Sequence, residues 1–438
     1  MAVALLGLLL GLTFWLNQRE PRMLASAIAA SPEPEVPITG AALPGMARLD
    51  RTMMALMTRY DCPGAQLAVT FRGRLVLARG YGLADRETGT RVEPHSLFRI
   101  ASLSKFITAT AVLTLVEQGR LSLDAKAFAL LPDLAPLPGT SVDPRLAGIT
   151  VRQLLQHTAG WNRDVSGDPM FRPAQIAQAA GTPAPADAST IIRYMAGRSL
   201  DFDPGTRMAY SNFGYNVLGR LVEAVSGKSY GDYVREAVLA PAGITRARLG
   251  RTQLAERAPG EVRYYDYARA ALTHSVFPAV TEAIASPDGG FNLEAMDAHG
   301  GWVMSAPEYL RLFAVVEGSR VPALLHAASL AQLTERPAAP VSVDAPAYYG
   351  LGLSIRPRNG ASGTAANWWH GGSLPGTTTY AVRLGSGWSW AAFFNSRPRT
   401  FRPFQSEVDS SINAALRGLR PPGGDLFEQS GAKLLTSN

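Results

Sequence analysis

Strand-like segments occur near both ends of this 438-residue chain, whereas helix-like segments dominate its middle. Residues 66–71 and 75–81 form two strand-like runs joined by a short glycine turn, which predicts a hairpin. Residues 348–356, 377–384 and 388–395 carry the β-branched and aromatic residues of a meander. A single antiparallel sheet built from both chain ends accounts for the two sets. The sequence therefore predicts an α+β fold in which helices flank that sheet.

Apolar residues between and beside these strands recur at helical spacing. Four segments have this pattern: residues 46–60, 213–225, 307–316 and 404–416. The proline-rich segment 172–187 predicts a surface loop instead. We expect one domain over 46–418, with a sheet lobe from 46–100 and 345–418 and a mostly helical lobe from about 101–344. A cleft between two lobes is the usual location of an active site.

The first residues stand apart because 2–16 form an uninterrupted apolar run. As a helix the run would span about 22 Å, short of the roughly 30 Å hydrocarbon core of a bilayer, which favours a signal peptide. No basic residue precedes the run and two arginines follow it, so a membrane anchor is the alternative. We expect residues 1–30 to be one or the other. The protein would then be exported, either periplasmic or anchored on the outer side of the inner membrane. Proline-rich residues 31–45 predict a linker, and residues 419–438 predict a flexible tail.

The composition argues against several classes of function. The net charge of +7 is spread along the chain, without a block of like charges or interleaved basic and aromatic residues, so nucleic acid is not an expected partner. The single cysteine, Cys62, excludes an internal disulfide and a zinc cluster. The six histidines lack a short ligand spacing such as H-x-x-x-H, which argues against a metal hydrolase.

The motif Ser102-Leu-Ser-Lys105 opens a long apolar segment that predicts a helix. Residues three apart lie on the same face of a helix, so the Ser102 hydroxyl and the Lys105 amine would lie side by side. A neighbouring base activates a serine as a nucleophile, and burial or nearby cations can lower the pKa of an amine enough for that task. In isolation, the alternative is two solvent-facing polar residues. Only four of the 42 basic residues are lysines, so a lysine here indicates an amine that can lose its proton, which arginine cannot do.

A second candidate stretch is Met208-Ala-Tyr-Ser-Asn212. Tyr210 and Asn212 flank a single residue, so in an extended loop both side chains would point the same way. A tyrosine can pass a proton, and an asparagine amide can hold a substrate carbonyl. The alternative is that Tyr210 is a packing residue and Asn212 caps the helix expected near Phe213, and Asn212 could serve in both roles.

A third candidate stretch is Trp368-Trp-His-Gly-Gly-Ser373, at the start of an expected strand. Its two glycines lack side chains and would let a substrate backbone approach the strand closely. The alternative is an ordinary glycine bend beside a histidine with its hydrogen bonds satisfied.

Together, the three stretches resemble the motifs of the serine β-lactamase and penicillin-binding-protein superfamily. Class A enzymes of this group carry S-x-x-K, S-D-N and K-T-G. The class C branch, with its D,D-peptidases, D-aminopeptidases and carboxylesterases, replaces the middle motif with Y-x-N, which Tyr210-Ser-Asn212 matches. The resemblance covers roughly residues 46–416 and includes the intervening phrases at 63–66, 154–160 and 300–305. It implies a β-lactamase/transpeptidase-like fold, a small-molecule or short peptide-like substrate, and no metal or organic cofactor.

The resemblance also implies roles for individual residues. Ser102 would be the nucleophile, Lys105 its base, and Tyr210 an assistant in proton transfer. The backbone N–H groups of Ser102 and Ser373 would form the oxyanion hole. The substrate-binding residues would be Asn212, which orients the substrate, and His370, Gly372 and Ser373, which line the cleft.

The third motif departs from the lactamase pattern because His370 stands where those enzymes have lysine. Histidine has a reference pKa of about 6.5 and is mostly neutral at pH 7.5, so its attraction for a carboxylate is weak. We therefore expect an esterase or peptidase that acts through an acyl-enzyme on small esters or peptide-like amides and favours uncharged acyl groups. A β-lactamase or D,D-peptidase proper is the alternative.

Two readings from other classes compete with this one. Residues 371–375 nearly match the G-x-S-x-G motif of α/β-hydrolases, but Pro375 replaces the last glycine and a strand follows where that motif needs a helix. The other alternative is an anchored ligand-binding or sensor protein without turnover. The presence of every polar group needed for turnover argues against it.

Overall fold

The computed structural model describes residues 36–358, 360 and 362–429. The apolar run at 2–16 and the rest of the expected signal peptide or anchor lie outside these residues. Within the described part of the chain, no helix combines the length and the hydropathy needed to cross a membrane.

Fourteen strands occur among the described residues. In chain order they are β1 (Ile38–Ala42), β2 (Gly64–Phe71), β3 (Arg74–Asp85), β4 (Thr90–Arg91), β5 (Phe98–Arg99), β6 (Arg248–Leu249), β7 (Tyr265–Asp266), β8 (Trp302–Met304), β9 (Tyr348–Tyr349), β10 (Ser354–Arg356), β11 (Asn367–Leu374), β12 (Thr377–Arg383), β13 (Trp388–Phe394) and β14 (Ser396–Arg397).

The α-helices of the described residues alternate with these strands and fill the middle of the chain. They are α1 (Ala47–Tyr60), α2 (Ser104–Glu117), α3 (Val151–Leu155), α4 (Pro173–Ala180), α5 (Ala188–Ala196), α6 (Asn212–Ser226), α7 (Tyr230–Val234), α8 (Ala306–Val316), α9 (Ala327–Leu333), α10 (Phe401–Leu416) and α11 (Leu426–Gln429). The predicted helices at 46–60, 213–225, 307–316 and 404–416 are confirmed as α1, α6, α8 and α10, with small shifts at their ends.

One antiparallel sheet joins the two ends of the chain, as predicted. Its strand order is β1-β3-β2-β13-β12-β11-β10-β9, and β4 pairs with β3 at the side. The early and late strands meet where β2 pairs with β13, with Leu67 opposite Ala392. Helices cover both faces of the sheet. Phe393 contacts Tyr309 of α8, whereas its neighbour Phe394 contacts Phe404 of α10, and successive strand residues point to opposite faces.

Helix α2 lies in the interior of the helical lobe and is buried from Ser104 to Leu115. Its apolar residues therefore face neighbours on all sides, which is typical of a central helix. The polar residues at its start, including Lys105, are consequently enclosed by protein.

Three predicted loops contain regular structure. The segment 172–187 includes α4, which begins at Pro173, and proline is favoured at the first helical position because its missing N–H is not needed there. The linker prediction is wrong for Ile38–Ala42, which pairs with β3 as an edge strand. The tail prediction is wrong for Leu426–Gln429, which forms α11.

The end of the described chain is held by Asp425, which is buried. Its carboxylate accepts the backbone N–H of Leu75 at 2.9 Å and pairs with Arg320 at 2.5 Å. Leu426 and Phe427 are buried beside it. Such a short anchoring segment is too small to produce an apolar periodicity that a sequence pattern could detect.

Candidate active site

Ser102 lies in a 3-10 turn, Ala101–Leu103, that leads directly into α2. The preceding residue, Ala101, has a φ of 49°, a left-handed conformation that L-residues rarely adopt. Such conformations persist where the surrounding structure imposes them, and they occur often at functional sites. The turn sets the Ser102 hydroxyl at the edge of a cavity while the next residues are buried.

Strand β11 packs directly against this turn through Gly372. A Cβ atom on Gly372 would lie 2.6 Å from the Ile100 carbonyl oxygen and 3.1 Å from the Ala101 Cβ. The Thr379 hydroxyl of β12 donates to the same Ile100 oxygen at 2.9 Å. The missing side chain of Gly372 therefore lets β11 lie directly against the turn that carries Ser102.

Lys105 is fully buried, and its Nζ touches three oxygen atoms. It lies 3.3 Å from Ser102 Oγ, 2.8 Å from Asn212 Oδ1 and 2.9 Å from the His299 carbonyl oxygen. Burial lowers the pKa of Lys105 well below its ordinary value, the Asp168 carboxylate opposes that shift, and the Arg163 guanidinium adds to it. Burial therefore favours the neutral amine.

A neutral amine has two N–H groups and one lone pair. Asn212 Oδ1 and the His299 carbonyl can only accept, so they take the two N–H groups of Lys105. The lone pair is left for the third neighbour, the Ser102 hydroxyl. This geometry lets Lys105 receive the Ser102 proton.

Tyr210 lies beside both residues. The Lys105 Nζ is 4.8 Å from the centre of the Tyr210 ring, and the Arg163 guanidinium carbon is 4.7 Å from it. The Tyr210 hydroxyl is buried and makes no hydrogen bond of normal geometry to the described residues. Burial raises the pKa of Tyr210, although the nearby Ser102 hydroxyl and Arg163 partly offset the increase. Tyr210 is therefore a neutral phenol whose hydroxyl lies next to Ser102.

Asn212 is the first residue of α6, and the cap of that helix is Ser211, whose hydroxyl accepts the Gly214 N–H at 3.2 Å. The alternative that Asn212 is the cap is therefore wrong. Instead, both ends of its side-chain amide form hydrogen bonds. Oδ1 accepts from Lys105, and Nδ2 donates to Asp168 Oδ2 at 2.6 Å.

His370 is buried and neutral. Burial lowers its pKa to about 3, with a further contribution from Lys105. Its Nδ1 lies 2.7 Å from the Gly371 carbonyl oxygen, so Nδ1 carries the proton. Its Nε2 then accepts from the Tyr349 hydroxyl at 2.9 Å. Both ring nitrogens are thus occupied by protein groups.

A cavity of about 330 Å³ opens in front of these residues. The predicted site residues that line it are Ser102, Tyr210, Asn212, His370, Gly372 and Ser373. Three arginines, Arg163, Arg397 and Arg402, also line it, and no aspartate or glutamate does among the described residues. Arg397 is paired with Asp266 at 3.6 Å, so the positive charge of the cavity comes mainly from Arg163 and Arg402, although the histidine of the third motif is neutral.

The site includes residues that the motifs do not contain. Asp168 and Arg163 belong to one loop without a recognisable pattern, so no sequence signal indicates them. His157 and His299 lie in or beside the phrases 154–160 and 300–305, which could have drawn attention to them. The His157 ring is 4.3 Å from that of Tyr210, and its Nδ1 accepts the Ser211 N–H at 3.2 Å.

The described part of the chain contains no group of three histidine, cysteine, aspartate or glutamate side chains arranged to hold a metal ion. A serine beside a neutral amine, with a phenol and a positively charged cavity, is suited to acyl transfer.

Comparison with known proteins places this geometry in context. The Beta-lactamase family model matches residues 49–412. Esterase EstB from Burkholderia gladioli is 33% identical over 201 residues, which is 45% of this chain and 50% of that protein. Penicillin-binding protein 4 from Amycolatopsis lactamdurans is 33% identical over 192 residues, 43% of this chain and 45% of that protein. These matches span half or less of those relatives.

Solved structures show the same architecture. A D-amino acid amidase from Ochrobactrum anthropi SV3 matches with a TM-score of 0.63 and 23% identity over 85% of this chain and 99% of that one. The D-alanine carboxypeptidase AmpC from Burkholderia cenocepacia matches with a TM-score of 0.62 and 20% identity over 85% of this chain and 98% of that one. These likenesses confirm the predicted β-lactamase/transpeptidase-like fold.

Proposed function

Because the chain belongs to the Beta-lactamase family, we propose that it is a serine hydrolase that forms an acyl-enzyme on Ser102 with Lys105 as the general base. One observation carries the proposal. The Lys105 amine is fully buried, 3.3 Å from the Ser102 hydroxyl, and its two N–H groups have other acceptors. Membership of this family supports a hydrolytic reaction but not a particular substrate. In our proposal, Ser102 and Lys105 carry out the first step of that reaction.

In the first step, Ser102 Oγ attacks the substrate carbonyl carbon and its proton passes to Lys105 Nζ. The backbone N–H groups of Ser102 and Ser373 are the proposed donors to the resulting oxyanion, and losing such a donor typically costs ~2.7–4 kcal/mol of barrier. The bond between the carbonyl carbon and the leaving group then breaks, and Tyr210, whose hydroxyl lies beside Ser102, passes the proton from Lys105 to that group. In a second step, water gives a proton to Lys105 and attacks the acyl carbon. The bond from that carbon to Ser102 Oγ breaks, the proton returns to Oγ, and the carboxylic acid is released.

The substrates we propose are small esters or peptide-like amides. Relatives and structural neighbours named as esterase, amidase and carboxypeptidase are consistent with both bond types. From the sequence we expected a preference for uncharged acyl groups, because a neutral His370 attracts a carboxylate only weakly. The cavity argues against that preference, because Arg163 and Arg402 line it and none of the described residues lining it is an aspartate or glutamate. We therefore revise the preference to substrates that carry a carboxylate, which guanidinium groups bind with paired hydrogen bonds.

Covalent labelling tests the nucleophile. A fluorophosphonate should label the wild-type protein, and Ser102→Ala should abolish both labelling and ester turnover. Ser373→Ala is the matched variant, because Ser373 lines the same cavity and should remain dispensable for labelling. Labelling that persists in Ser102→Ala, or that disappears only in Ser373→Ala, would overturn the assignment. Acylation by an ester without product release would instead support the sensor alternative.

Matched esters test the substrate preference. We expect a higher kcat/KM for the mono-p-nitrophenyl ester of glutaric acid, whose second carboxylate is free, than for the neutral diester in which that carboxylate is methylated. Nitrocefin and D-aminoacyl amides should be measured in parallel. Arg402→Gln should reduce this advantage and leave turnover of p-nitrophenyl butyrate within about threefold. A preference for the neutral ester would contradict the revised substrate class and leave the Ser102 assignment intact.

A further inference from the structure

The Asn212 side chain is held between Lys105 and Asp168. Its Oδ1 accepts from Lys105 Nζ at 2.8 Å, and its Nδ2 donates to Asp168 Oδ2 at 2.6 Å. The other oxygen of Asp168 accepts the backbone N–H of Met170 at 3.1 Å. The carboxylate is therefore fixed to its own loop and can hold Asn212 in place.

The hydrogen bond to Asp168 bears on which end of the Asn212 amide faces Lys105. The two ends of an asparagine amide have almost the same shape, so hydrogen-bond partners select the orientation. An ionised carboxylate can only accept, which requires Nδ2 on the Asp168 side and Oδ1 on the Lys105 side. In the opposite orientation, Nδ2 would face Lys105 and donate to the lone pair that Ser102 needs.

We propose that Asp168 is a positioning residue: by binding Asn212 Nδ2 it keeps the Asn212 oxygen toward Lys105 and so leaves the Lys105 lone pair to Ser102. This inference rests on the proposed function of Lys105 as the base. Asp168 lies outside the three motifs and does not line the cavity. It acts through Asn212 and makes no direct contact with substrate.

The loop that carries Asp168 also carries Arg163, and these two residues act on Lys105 in opposite directions. Among the described residues, the charged and titratable groups that face Lys105 are Asp168, Arg163, His157, His299, His370 and the phenols of Tyr210 and Tyr215. Burial lowers the pKa of each of the three histidines and raises that of each of the two tyrosines, so all five are neutral near pH 7. The remaining charges are those of Asp168, which raises the pKa of Lys105, and Arg163, which lowers it.

The pH profile of acylation separates positioning from a structural role. Acylation needs neutral Lys105, so its rate rises with pH through the pKa of Lys105. Asp168→Asn removes a negative charge and should move this acid limb to lower pH. Arg163→Gln removes a positive charge and should move it to higher pH. Asp168→Ala also frees the Asn212 amide, and it should lower the plateau rate of fluorophosphonate labelling by ~10–100-fold, as a small misplacement of a reacting group can.

Asp164→Asn is the matched control, because Asp164 is exposed in the same loop. Asp164→Asn should change neither the pH of the acid limb of acylation nor the plateau rate of fluorophosphonate labelling. Thermal unfolding of each variant checks that the fold persists, and Asp168→Asn keeps the side-chain shape if Asp168→Ala does not fold. Identical acid limbs in wild type and Asp168→Asn, or an unchanged plateau in folded Asp168→Ala, would overturn the inference. If Ser102→Ala still labels, the proposed function fails instead, whatever the Asp168 variants do.

Discussion

At the scale of single residues, the site depends on Lys105 being an amine without a proton. Lys105→Arg should therefore be nearly as damaging as Lys105→Ala, because arginine keeps its charge near neutral pH and cannot act as a base. We expect both variants to retain less than about a tenth of wild-type kcat/KM, a loss of more than ~1.4 kcal/mol of transition-state stabilisation.

The control for this substitution is Lys126→Arg. Lys126 is exposed and donates to the Gly148 carbonyl at 3.1 Å, a contact that arginine can replace. Its kcat/KM should equal that of wild type. If Lys105→Arg kept more than a tenth of the turnover, Lys105 would be a charge partner for Ser102, and another group would be the base.

Some residues of the site could be predicted from the sequence and others could not. Ser102, Lys105, Tyr210 and His370 could be found because each lies in a short motif with fixed spacing. Asp168 could not, because its role depends on the orientation of the Asn212 amide, which only the folded loop determines. The three cavity arginines are likewise ordinary in an arginine-rich sequence, so their convergence had no sequence signal.

At the scale of elements, strand β11 acts as a support for the turn before α2. Gly372→Ala would place a methyl group 2.6 Å from the Ile100 carbonyl oxygen and 2.2 Å from the Thr379 hydroxyl oxygen. Either the strand or the turn must move. We expect the fluorophosphonate labelling rate of this variant to fall by about 100-fold, because small displacements of a reacting group are costly.

Gly148→Ala provides the comparison. A Cβ atom there would meet nothing within 4 Å, and the residue is exposed, so labelling and thermal stability should match wild type. Normal labelling of Gly372→Ala would mean that the turn tolerates displacement and that β11 does not position Ser102.

Elements differed in how far the sequence could predict them. Helices α1 and α10 each bury one apolar face, whereas α6 and α8 are buried on most sides. All four have apolar residues at helical spacing, and this periodicity is visible in the sequence. Strand β1 is short, lies at the sheet edge and pairs beside proline-rich residues, so composition alone suggested a linker. Its pairing with β3 is a tertiary contact, which local patterns do not encode.

At the scale of the whole molecule, three buried histidines link stability to pH. Burial lowers the pKa values of His157, His299 and His370 in the folded state, to about 3 for His370. The unfolded chain binds a proton at each near pH 6.5. Stability from these groups is therefore complete above about pH 6.5 and is lost progressively as pH falls below that value, down to about pH 3 in the case of His370. Each histidine should contribute a slope of up to ~1.4 kcal/mol per pH unit in this window.

Urea unfolding at pH 7, 5.5 and 4.5 measures this slope. His370→Asn should make the loss of unfolding free energy with falling pH shallower than in wild type. His274→Asn should not change it, because His274 is exposed. Equal slopes in wild type and His370→Asn would show that His370 takes up a proton in the folded protein as readily as in the unfolded chain.

The pairing of β2 with β13 has a consequence for how this protein is made. Leu67 of β2 pairs with Ala392 of β13 in the centre of the sheet. Because β2 is synthesised early and β13 near the end, β2 cannot pair with β13 until most of the chain has been made. At about 5–20 residues per second, the interval is on the order of 20 to 60 seconds. Contacts between such distant parts of a chain form slowly. The apolar β2–β3 hairpin therefore lacks its β13 partner through most of translation, and during that interval holdase chaperones or an export pathway that accepts unfolded chains could bind its unpaired edge.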